Sequence, residues 1–98
     1  MAKYRILETQ PAKTRLVLPV SSRLALIVTD DPELIEDPDY APGVMKDLKK
    51  SWRDGDYFTV SAVNSKGEIV DSVSSMAGYG GPRKAAEAAL RDYFKSMA

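Results

Sequence analysis

Residues 57–75 read YFTVSAVNSKGEIVDSVSS, and this stretch decides the fold. Phe58, Val60 and Ala62 alternate with Thr59 and Ser61, the period-two pattern of a strand with one apolar face. Asn64-Ser65-Lys66-Gly67 supplies turn residues, with Gly67 suited to a left-handed backbone. Ile69 and Val73 share a face of the segment 68–75, while Ser72 and Ser74 leave its other face partly wet. The pattern predicts an antiparallel hairpin, and a tight hairpin commits the chain to an antiparallel sheet.

Downstream of the hairpin, Gly81-Pro82 places proline at the first position of a helix. Ala86, Ala89, Leu90, Tyr93, Phe94 and Met97 then recur at helical spacing. The alanines let this helix approach a sheet closely, with Tyr93 and Phe94 expected as its large anchors. Upstream, Met45, Leu48 and Trp52 form the apolar stripe of a helix over 43–53, and Asp54-Gly55-Asp56 stops it. Residues 4–7, 15–20 and 24–29 read as strands. Pro19 cannot donate a ladder hydrogen bond, so the second belongs at an edge. The third is apolar on both faces, which suits a central, covered position. The order is β-β-β-α-β-β-α. It predicts a single α+β domain over residues 1–98, with an antiparallel sheet of four to five strands and two helices packed on one face.

Composition narrows the chemistry. The chain has 98 residues, 44% hydrophobic and 29% charged, enough for one modest core. It contains no His and no Cys, which removes thiol and imidazole catalysis, Cys- or His-bound metals and disulfides. No pair of acids, bases or nucleophiles is held at a working spacing, so no enzyme, no cofactor and no metal site is expected. The longest aliphatic run, residues 24–28, is far shorter than the ~20 residues of a membrane span, and no apolar leader segment opens the chain. A cytoplasmic protein with no membrane partner is expected.

The formal net charge is zero, from 14 basic and 14 acidic residues, but the charges are segregated. Residues 30–42 carry Asp30, Asp31, Glu33, Glu36, Asp37 and Asp39 and no base, interrupted by Pro32, Pro38 and Pro42. This reads as an exposed acidic loop. With Tyr40 as an interface anchor, it is the first candidate for binding a partner protein with a basic surface. The spacing lacks the D-x-D-x-D-G calcium pattern. The bland alternative is a solvated segment that pairs with the protein's own bases.

Two further segments are candidates for contact with nucleic acid or another anion. Lys46, Lys49, Lys50 and Arg53 share one helix face, where they suit phosphates and equally suit a helix C-terminus. Gly78-Tyr79-Gly80-Gly81-Pro82-Arg83-Lys84 feeds a helix N-terminus, where the N–H groups of Gly80 and Gly81 and the bases Arg83 and Lys84 are placed to meet an anion. It is neither a P-loop nor a dinucleotide fingerprint. Gly78, Gly80, Arg83, Lys84 and Ala86 resemble the end of a double-stranded RNA-binding domain, a family that closes with G-x-G, paired bases and an Ala-rich helix. The resemblance implies phosphate contact by Arg83 and Lys84 and covers residues 43–97. Glu87 departs from its pattern, and the family has three strands between its helices where two are read here.

The sequence therefore leads to a small non-catalytic protein-binding module whose acidic loop occupies a basic surface. Size and composition suit an inhibitor of the phage or mobile-element anti-defence type, such as an anti-CRISPR protein. A nucleic-acid-binding module using the basic helix faces is the alternative. A homodimer through free strand edges is the third reading.

Overall fold

The computed structural model describes residues 3–98. Among them the chain is α+β, with every strand pair antiparallel. The strands are β1 (Arg5–Thr9), β2 (Thr14–Pro19), β3 (Ala25–Asp30), β4 (Glu33–Glu36), β5 (Tyr57–Val63) and β6 (Ile69–Ala77). The helices are α1 (Pro42–Arg53) and α2 (Pro82–Ala89), the latter continued by a widened turn (Leu90–Phe94) and a 3-10 turn (Lys95–Met97).

The expected hairpin is β5–β6. Its turn closes through the Asn64 N–H to the Glu68 carbonyl, with Gly67 at φ 79°. The hairpin joins β2 and β3 in a four-stranded sheet ordered β2-β3-β5-β6. Pro19 lies on an edge strand and the apolar β3 lies inside, as the sequence requires. Leu24, Leu26, Val28, Phe58, Val60, Ala62 and Met76 form one buried face. α2 covers it through Ala85, Ala86, Ala88 and Ala89, and Phe94 seals the end at 0% exposure. Tyr93 does not join Phe94 as an anchor and is exposed. The widened turn at Leu90–Phe94 shifts side-chain phase after Leu90, so straight 3.6-residue spacing misplaces Tyr93.

Residues 30–42 are not one loop. Glu33–Glu36 forms β4, which pairs with β1 in a separate two-stranded ribbon with Ile6 opposite Ile35. Leu34, at 1% exposure, anchors it. The apolar pair Leu34-Ile35 makes this a strand despite the flanking acids. Between β4 and α1 only 37–41 remains as a connection, and its turn is closed by the Tyr40 N–H to the Asp37 carbonyl.

The helices divide between two layers. α2 lies on the Phe58 face, whereas α1 packs near β4 and the ends of β5 and β6. Trp52 meets Tyr57 edge-on, with ring centroids 5.3 Å apart. Tyr57 is the neighbour of Phe58 and so points to the opposite face of the sheet. No residue of α1 is fully buried. Two strands, not the three of a double-stranded RNA-binding domain, separate α1 from α2. No helix among the described residues is long and apolar enough to cross a membrane.

Candidate functional site

The six acids of the 30–39 segment have different roles. Asp31 is buried at 4% exposure. One carboxylate oxygen accepts the Glu33 N–H at 3.1 Å and the other accepts the Ser75 N–H at 2.7 Å. Ser75 has φ 56° and sits where β6 bulges opposite Thr59. Asp31 therefore ties β4 to the irregular part of β6, and its removal from the list of partner contacts is a correction to the sequence reading. A charge run gives no sign of which of its carboxylates turns inward.

Asp30 and Glu36 are paired with the protein's own bases. Arg15 donates to Asp30 at 2.9 Å, and Arg5 donates to Glu36 at 2.8 Å. Glu33, Asp37 and Asp39 have no basic side chain within 4.0 Å among the described residues. Asp37 shapes its own turn by accepting the Asp39 N–H at 2.9 Å. The turn carries Pro38, Asp39 and Tyr40 on the surface.

Beside this turn the ribbon places residues that sequence alone does not single out. Tyr4 and Ile6 are more than half exposed, and Val44 on α1 is exposed like Tyr40. Tyr4, Arg5, Asp37, Pro38, Tyr40 and Met45 line an open groove of about 530 Å³. Two tyrosines thus flank a shallow channel whose lining also carries two acids, Glu36 and Asp37, and two bases, Lys3 and Arg5. Large exposed side chains gathered in one place mark contact surfaces more than isolated ones do. Their convergence depends on β1 pairing with β4, in which Thr9 meets Glu33 and Arg5 meets Glu36, a long-range pairing that no local pattern signals.

The basic candidates also separate. Lys50 is paired with Asp54 at 2.8 Å, and this contact holds the Asp54 carboxyl below its ordinary range. Lys46, Lys49 and Arg53 have no carboxylate within 4.0 Å among the described residues and together border a second groove with Leu7, Glu8 and Leu34. At the glycine loop, the backbone donors expected to be free are taken. Gly80 N–H donates to Asp56 Oδ2 at 2.8 Å and Gly81 N–H to Asp56 Oδ1 at 3.2 Å. The protein's own carboxylate thus fills the place proposed for an external anion, which corrects the reading of Gly80 and Gly81. Arg83 and Lys84 are exposed on α2 and do not line that groove.

No group of three or more metal-ligating side chains gathers among the described residues. No protein-family model, curated protein or solved structure matches the chain.

Proposed function

We propose that the chain is a small non-catalytic protein-binding module of the cytoplasm, and that its contact surface is the 37–40 turn with the adjoining β1–β4 ribbon. The observation that carries this reading is the grouping of Tyr4 and Tyr40 along one groove, with Asp37 in its lining and Asp39 in the same turn, neither within 4.0 Å of a basic side chain among the described residues. Tyrosines supply large contact area at small entropic cost, and unpaired acids steer a partner with a basic surface. An inhibitor that covers a nucleic-acid-gripping surface is the specific form of this proposal. Its support is the carboxylate display together with the small size of the chain.

The test is affinity capture from nuclease-treated lysate by the full chain, beside Asp37→Asn/Asp39→Asn and Tyr40→Ala variants. One protein retained in near-stoichiometric amount and lost with these variants is the expected result. Capture unchanged by all three substitutions removes this surface from the mechanism. The substitutions are on the surface, and stability within about 0.5 kcal/mol of the parent is expected on thermal melting.

A further inference from the structure

We infer that the groove between α1 and β1 is a second docking site, and that its occupant is an acidic, amphipathic helical segment of a partner protein. The inference stands on residues other than the acidic turn. Lys46, Lys49 and Arg53 recur at i, i+3 and i+7, so they form one row along α1 roughly 10 Å long. They border a groove of about 440 Å³ whose other lining residues are Leu7, Glu8 and Leu34. The three cations have no carboxylate within 4.0 Å among the described residues, although Arg5, Arg15, Lys50 and Arg91 all do. The groove thus combines an apolar floor with a rim of three positive charges against one negative.

That combination defines the ligand. A partner helix with carboxylates at i, i+3 or i+4, and i+7 repeats the spacing of the cation row and matches it charge for charge. Apolar side chains beside those carboxylates rest against Leu7, which is half-buried. A nucleic-acid backbone meets the charge requirement but has nothing for the apolar floor. An acidic amphipathic helix meets both requirements.

The experiment uses the full chain, labelled with nitrogen-15, and four probes. These are a 15-residue helical peptide of Glu and Leu with the stated spacing, the same peptide with Gln for Glu, an RNA duplex and a DNA duplex. The expected result is amide shifts centred on Leu7, Lys46, Lys49 and Arg53 with the Glu peptide. Affinity should fall at least tenfold for the Gln peptide and for a Lys46→Glu/Lys49→Glu/Arg53→Glu variant. Asp37→Asn/Asp39→Asn should leave this binding unchanged, which separates the groove from the acidic turn. Equal binding of the Gln peptide, shifts centred elsewhere, tighter binding of either duplex, or no binding at millimolar peptide overturns the proposal. The shift map of the parent chain decides the matter even if the triple variant fails to fold.

Discussion

Asp31 illustrates how a residue that looks like part of a display becomes part of the framework. Its carboxylate joins two backbone donors 42 residues apart in sequence, Glu33 and Ser75, next to a non-glycine residue in left-handed backbone. Asp31→Ala leaves both donors without their acceptor. A loss of about 3 kcal/mol is expected in chemical denaturation, since each buried unsatisfied group costs roughly 1–3 kcal/mol. A loss below about 0.5 kcal/mol would show that water replaces the carboxylate. Tyr57 provides a pH handle on the same region. Burial, opposed by its hydrogen bond to Ser75 and assisted by the charge of Asp31, raises the phenol above its ordinary value of 10.0. The folded state therefore holds this proton more tightly than the unfolded chain. Its contribution to stability is complete below about pH 10 and is lost as pH rises through the raised folded value. Alkaline melts of the parent should fall more steeply above that point than those of Tyr57→Phe, and parallel curves would remove Tyr57 from the alkaline transition. Neither role is legible locally: Asp31 sits among acids, and Tyr57 is simply the first residue of a strand.

At the scale of elements, legibility follows the distance over which the stabilising contact acts. The β5–β6 hairpin and the proline-led α2 are readable because periodicity and turn chemistry lie within a few residues. β4 is harder because it is four residues long and flanked by acids, and its partner β1 is remote. Its Leu34-Ile35 pair is the one local signal. Leu34→Ala should cost about 2–5 kcal/mol, as truncation of a buried leucine does, and loosen the ribbon. Comparable stability in the variant would place the anchor elsewhere. The start of α2 offers a second test. Asp56 accepts the Gly80 and Gly81 N–H groups just ahead of α2, beside the positive end of the helix dipole, so Asp56→Ala should lower stability by about 1–2 kcal/mol. Added sulfate should recover more of the melting temperature in this variant than in the parent, by occupying the released N–H groups. Equal gains would indicate a general salt effect. The Gly-rich sequence suggests free N–H groups ahead of the helix, but nothing near it reveals that Asp56 already accepts from them.

Across the whole molecule, burial is uneven. The layer built on β3, β5 and α2 holds most of the fully buried side chains, whereas α1 has none and β1 is mostly exposed. Hydrogen exchange should therefore show β3 and β5 amides opening only with global unfolding, while β1 and α1 exchange through smaller openings. Uniform protection would mean the two layers unfold as one unit. The class and strand direction of this architecture are legible because they follow from local patterns. The division into two layers is not, because it depends on which distant faces meet. The layers are also interleaved along the chain. The ribbon takes its first strand from Arg5–Thr9, leaves for the β2–β3 hairpin, and resumes at Glu33–Glu36 and α1. Tyr4 and Tyr40 thus reach the same groove from stretches that are far apart in sequence. Such a surface is a conformational epitope: an excised fragment spanning 30–53 carries Tyr40 without Tyr4, and it should not compete with the folded chain for whatever binds there.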